Sequence, residues 1–199
     1  MSDERAAVLI DNYYLKKEVL DKKNNGFKLD YKAFSDLLCK KANANHFRTY
    51  VYDCEFKSNE LLLKILESLP NFEIQKGTKQ KLGQHYVQKQ VDIMLAVQMI
   101  QLNKINVQNI IVVSGDADFI PAVKYVKESG SRVYVWSAPK DYKGELARSS
   151  DVPNPIDDSV LIPWTRSINS KTFDKRYGPD LAKTYIQILI YSRNRVVSI

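Results

Sequence analysis

Short apolar runs that stop at an acid or a turn alternate along this chain with longer runs of helical period. Ala6–Ile10 is β-prone and ends at Asp11, and Arg48–Cys54 alternates through Tyr50, Val51 and Tyr52 as a second strand. Phe72–Lys76 predicts a third strand, Asn109–Val113 a fourth and Arg132–Trp136 a fifth. Val160–Trp164 is expected as a last, edge strand, with the proline-rich Val152–Asp158 as a turn before it. Helical spacing starts at Tyr14–Leu20 and returns at Tyr31–Ala42, with Phe34, Leu37, Leu38 and Lys41 on one face. Asn59–Leu69 carries Leu62, Ile65, Leu66 and Leu69 on a stripe and stops at Pro70. Val91–Leu102 is apolar nearly all round, which predicts a helix buried on most of its surface. A further helix follows the fourth strand and ends at Gly130, and Tyr142–Ser149 reads as a short one. Gln75–Gln90 is basic, Gln-rich and broken by Gly77 and Gly83, so a loop or a short excursion beside the site is expected there. The alternation predicts an α/β fold with a mostly parallel sheet and helices on both faces.

At 199 residues and 44% hydrophobic content the chain has enough apolar side chains for a real core. The pattern predicts a domain over residues 1–164 and a basic extension over 165–199. In that extension Pro179–Arg193 is expected as an accessory helix with Leu181, Tyr185, Ile188 and Leu189 on a stripe, packing on the domain, on a second copy or on nucleic acid. No run of about 18 apolar residues exists to span a bilayer. The charged Met1–Arg5 has no signal-like apolar stretch behind it, so a cytoplasmic protein without a membrane partner is expected. Cys39 and Cys54 are expected as reduced thiols, and with only His46 and His85 present no zinc spacing occurs.

The net charge is +7 and unevenly placed. Lys76, Lys79, Lys81 and Lys89 lie in one acid-free stretch, while the extension sets Arg166, Lys171, Lys175, Arg176, Lys183, Arg193 and Arg195 against Asp174 and Asp180. This asymmetry favours a polyanionic partner.

Carboxylates supply the candidate chemistry. Asp11 closes the first strand, Asp116 and Asp118 follow the fourth in Val112–Asp118, and Asp92 opens the apolar helix leading into that fourth strand. One acid after a strand is explained by capping the next helix, and Asp118, nearest the helix start, is the expected cap. Asp92 in a first helical turn gains about 0.3–1 kcal/mol from the helix dipole without any function. If the first and fourth strands are neighbours, however, all four acids meet at the carboxyl edge of the sheet, where doubly wound folds bind ligands. Clustered carboxylates repel, and a hard divalent cation, Mg²⁺ or Mn²⁺, relieves the repulsion through oxygen ligands alone. No P-loop, HExxH or GxSxG pattern offers a rival centre.

At VLIDNYYL (Val8–Leu15), KQVDIMLAVQMI (Lys89–Ile100) and VVSGDADFIPAV (Val112–Val123) the chain resembles the NYN family of PIN-like nucleases, in its LabA-like branch. Ser131–Pro139 and Glu145–Asp151 add weaker likeness, and the resemblance runs from Ala6 to Trp164. It implies a three-layer α/β/α sandwich and a metal-dependent endoribonuclease that hydrolyses RNA. Asp11, Asp92, Asp116 and Asp118 are then catalytic acids and metal ligands. Ser114 would orient one acid, Asn12 would support Asp11 or a water on the metal, and Lys89 would face phosphate. Relatives often show Asp, two residues and then Asn after the first strand; here Asn12 follows Asp11 directly and Tyr14 occupies the usual Asn position. Lys76, Lys79, Lys81 and Lys89 are expected to contact phosphates, with Tyr13, Tyr14 and Tyr86 available to stack on single-stranded bases. The alternatives are a non-catalytic nucleic-acid-binding or regulatory module on the same fold, and a phosphatase or nucleotide hydrolase using the same acids.

Overall fold

The computed structural model describes residues 3–164 apart from 24–26, 55, 57, 58, 83 and 84, and the side chains at 81–88 are also outside the description. The expected helix at Pro179–Arg193 lies outside the described residues.

The chain runs β1 (Arg5–Asp11), α1 (Asn12–Tyr14), α2 (Tyr31–Lys41), β2 (Asn45–Asp53), α3 (Glu60–Glu67), β3 (Phe72–Lys76), β4 (Thr78–Leu82) and β5 (His85–Lys89). It continues through α4 (Val91–Lys104), β6 (Asn109–Val113), α5 (Ile120–Glu128), β7 (Arg132–Ser137), α6 (Glu145–Ser149) and β8 (Val152–Pro155). A π-helical turn at Leu15–Val19 and a 3-10 turn at Leu20–Lys22 prolong α1. The main sheet has the order β3-β2-β1-β6-β7-β8, and every pairing in it is parallel.

The near-continuous apolar runs of β1 and β6 follow from cover on both faces. Alternate residues serve the two layers. Ala6, Val8 and Ile10 join Ile111 and Val113 in one core, against Phe34 and Leu38 of α2. Ala7 and Leu9 join Ile110 and Val112 in the other, against Leu95 and Met99 of α4 and Val123 and Val126 of α5. After β1 the chain builds outward through β2 and β3, then returns to place β6 on the other side of β1. This reversal lies between β1 and β6, and the carboxyl ends of the strands at such a point are where doubly wound sheets bind ligands.

Three expectations are corrected or sharpened. The stretch expected as a loop or a short excursion between the third strand and α4 is an antiparallel hairpin, with Thr78 opposite Lys89 and Lys81 opposite Tyr86. Its polar composition hides it, because a strand pair built of polar residues leaves no apolar alternation to read. The last strand is Val152–Pro155, and Val160–Trp164 contributes only an isolated bridge between Leu29 and Pro163. Pro153 and Pro155 are tolerated there because β8 is an edge: Ile156 donates its N–H inward to the Ser137 carbonyl at 2.7 Å, so the alternate proline nitrogens face outward. Finally, α4 buries one stripe, Val91, Leu95, Met99 and Leu102, while Ile93 and Val97 stay 70% and 45% exposed.

Two substitutions measure this division. Leu9→Ala in the innermost strand is expected to lower stability by about 2–5 kcal/mol. Ile93→Ala should stay within about 0.5 kcal/mol. Urea unfolding at unchanged m-value distinguishes them through the midpoint.

Candidate active site

Asp11 is the last residue of β1 and the cap of α1, and it is buried. Its Oδ1 accepts the Tyr14 N–H at 3.0 Å and its Oδ2 accepts the Ser114 hydroxyl at 3.2 Å. The register explains the second bond: Ile10 pairs with Val113, which brings the next residues of both strands side by side. Ser114 is fully buried, and its Oγ also accepts the Asp116 N–H at 3.2 Å. One hydroxyl thus joins the acid of the first strand to the backbone of the loop after β6.

Asp116 and Asp118 are exposed in that loop. The expected assignment of the cap to Asp118 is corrected: Asp116 Oδ1 accepts the Asp118 N–H at 2.9 Å and caps the 3-10 turn Ala117–Phe119. The turn begins at Ala117, earlier than the apolar pattern indicates, so the first of the two acids occupies the capping position. Asp116 Oδ2 takes no part in this cap, so capping and ligand binding are compatible in one carboxylate. Asp92, in the first turn of α4, is exposed.

The four acids form one electrostatic unit. Burial pushes Asp11 up to about 6; the Tyr14 and Ser114 hydrogen bonds oppose this, and the Asp92 and Asp116 charges add to it. Asp92 is raised too: its side chain reaches solvent but is partly desolvated, and the charges of Asp116 and Asp118 add to this. In ligand chemistry and charge the set fits a hard divalent cation. Its oxygens are not gathered into a ready cage: among the described residues no three acidic, histidine or cysteine side chains converge on a metal position.

Asn12 points away from these acids. It is buried, its Nδ2 donates to Asp53 Oδ2 at 2.5 Å, and its Oδ1 accepts the Tyr31 hydroxyl at 2.5 Å. Asp53 ends β2 and also accepts the Asn59 amide at 3.1 Å and the Cys54 N–H at 2.7 Å. Reasoning from sequence passed over Asp53, although the signal was the one Asp11 gave, an acid closing a β-prone run. Tyr14 is half-buried and its hydroxyl bonds to Asp141 and the Ala138 N–H, whereas Tyr13 is 56% exposed.

The lysines fall on β3 and on the hairpin, Lys76 at the end of β3 and Lys79 and Lys81 within β4. Lys89 ends β5, is exposed and precedes Asp92 closely in sequence. Gln90 between them holds a left-handed backbone, φ 74°, at the start of α4. Lys79 Nζ lies 4.9 Å from the Phe56 ring centroid, and Lys76 pairs with Glu67 at 2.9 Å. Lys81 and Tyr86 are cross-strand partners in the hairpin, with side chains outside the description.

A sequence profile of the NYN domain matches residues 5–157. The chain belongs to the NYN domain family. NYN domains are a PIN-like nuclease family, and the α/β sandwich with its parallel sheet accords with that. Among solved structures, a protein of unknown function, VPA0982, from Vibrio parahaemolyticus shares the fold with a TM-score of 0.65 at 20% identity, covering 80% of this chain and 97% of that one. A nicotinamidase from Staphylococcus aureus aligns over 76% of this NYN chain and 98% of its own, at 12% identity and a TM-score of 0.35, too low to support an argument. A search of curated proteins finds no match. No helix among the described residues of this NYN domain is long and apolar enough to cross a membrane.

Asp11 gives the NYN domain a pH signature. Near its ordinary value of 3.8 the carboxyl is substantially protonated in the folded and unfolded chains, but as pH rises through about 6 the native side chain must ionise in a buried, negative site. Without divalent cation, Asp11→Asn should therefore be more stable than the parent at pH 7 by about 1–3 kcal/mol, the gap closing toward pH 4. Urea unfolding at the two pH values checks it.

Proposed function

We propose that this NYN domain is a metal-dependent endoribonuclease of the LabA-like branch that cleaves single-stranded RNA. The observation that carries the reading is the electrostatic coupling of Asp11, Asp92, Asp116 and Asp118, acids from three separate segments, at the reversal point of a parallel sheet. Asp11, Asp92 and Asp116 would hold Mg²⁺ or Mn²⁺, with Asp118 reaching a second ion or a water. A bound cation supplies positive charge against the scissile phosphate and lowers the pKa of the attacking water.

The other roles belong to the chain's own residues. Ser114 orients Asp11 and anchors the backbone of Asp116, so a single hydroxyl keeps two ligands in register. Lys89 faces phosphate beside Asp92, and Lys76, Lys79 and Lys81 continue the positive path that an RNA backbone follows. Tyr13, exposed beside Asp11, offers a ring face on which a base stacks, which favours single strands over duplex, and Tyr86 is proposed for the same role. The basic residues of the 165–199 extension add charge toward the same polyanion.

A second reading, a nucleic-acid-binding module that does no chemistry, draws on one observation: the acids are coupled yet not gathered into a cage. Asp116→Asn separates the two. For the nuclease, cleavage of a labelled RNA with Mn²⁺ should fall on the order of a hundredfold or more, with RNA affinity within about threefold. Chelator should abolish the parent activity and Mn²⁺ restore it. Purified protein that binds RNA but cleaves none under any divalent metal would establish the second reading instead.

A further inference from the structure

One residue of the turn after β1 reaches two more of the loops that make the carboxyl edge. Tyr14 gives its N–H to Asp11 and so belongs to the turn after β1. Its hydroxyl donates to Asp141 Oδ2 at 2.7 Å and accepts the Ala138 N–H at 2.9 Å, both in the loop after β7. The hydroxyl end of its ring closes on Gly115 in the loop after β6: a Cβ added there would stand 2.5 Å from the Tyr14 hydroxyl oxygen and 2.8 Å from two ring carbons. Gly115 is therefore required for close approach, and it is the residue immediately before Asp116.

We infer that Tyr14 is a positioning residue for Asp116, its ring setting the height of the Gly115 backbone and its hydroxyl anchoring that ring to the Ala138–Asp141 loop. The part of the inference that concerns turnover rests on the nuclease reading above; the part that concerns geometry does not. Asp116 has two fixed points, its N–H on Ser114 and its Oδ1 on the Asp118 N–H, and both lie within its own loop. Tyr14 supplies the reference outside that loop. An asparagine at this position is too short to reach from Gly115 to both Ala138 and Asp141, so the lock depends on this chain's own tyrosine. A second tie runs parallel to it: Lys140 and Lys22 both hold Glu18, at 2.7 and 2.6 Å, joining the same loop to the turn that prolongs α1. Those charges are largely exposed and fix the loop weakly. Burial and the Asp141 carboxylate keep the Tyr14 hydroxyl protonated well beyond the ordinary tyrosine range, so its donor bond persists at any working pH.

Tyr14→Phe removes both hydroxyl bonds and keeps the ring; Asp141→Ala removes one anchor without touching Tyr14. Amide hydrogen exchange by NMR should show the Asp116 and Asp118 N–H groups exchanging on the order of tenfold faster in Tyr14→Phe, and faster in Asp141→Ala, with β1 and β6 amides unchanged. On RNA with Mn²⁺, kcat should fall on the order of tenfold at unchanged KM. Gly115→Ala should reproduce the pattern in the parent and cost several-fold less in a Tyr14→Ala background, because the clash then has no ring to meet. Unchanged exchange at Asp116 and Asp118 in Tyr14→Phe, or equal cost of Gly115→Ala in both backgrounds, overturns the inference. If the parent cleaves no RNA, the nuclease reading falls while the exchange pattern still decides the role of Tyr14.

Discussion

Placing a carboxylate at the buried end of the innermost strand is the constraint to which the rest of the structure answers. Asp11 loses water by sitting between two covered strands, and only a backbone amide and one serine hydroxyl compensate it. Asp53, one strand over, shows what full compensation looks like: three donors reach its two oxygens. The two acids occupy equivalent strand ends and have opposite characters. Asp53 is a closed anchor for Asn12 and Asn59, while Asp11 remains under-compensated beside two further negative charges. A fold gains nothing in stability from that arrangement, and such local costs concentrate where a protein keeps a site open for a ligand.

Much of this was legible because strands and acids leave simple marks. The runs Ala6–Ile10 and Asn109–Val113 had to be buried on both faces, and two such runs next to one another bring Asp11 to the loop that bears Asp116. Asp92 followed from the direction of the helix between them. What was hidden depended on contacts between distant residues. Nothing in the order Asp11–Asn12–Tyr13–Tyr14 says that Asn12 turns toward Tyr31 and Asp53 while Tyr14 turns toward Asp141. The hairpin was hidden because pairing is a backbone property that polar side chains do not advertise. Helix α4 misled in the opposite sense: its outer Ile93 and Val97 read as core although no layer covers them among the described residues.

The solved relative at 20% identity shows how little of the sequence the scaffold requires. The loops at the carboxyl edge are less free. Gly115 must lack a side chain, Ser114 must carry a hydroxyl and Tyr14 must span from one loop to another, so the edge is specified residue by residue where the sheet is specified only by pattern.

The prolines of β8 reach beyond local geometry. Parallel sheets expose a ladder of amides and carbonyls at each outer strand, an invitation to a stray chain. On the β8 side Pro153 and Pro155 leave carbonyls without partnering hydrogens, so a newcomer could donate hydrogen bonds to this rim but accept none from it. Growth of the sheet by strand addition is thereby confined to the opposite rim at β3, where Glu73, Gln75 and Lys76 put charged and polar groups along the strand.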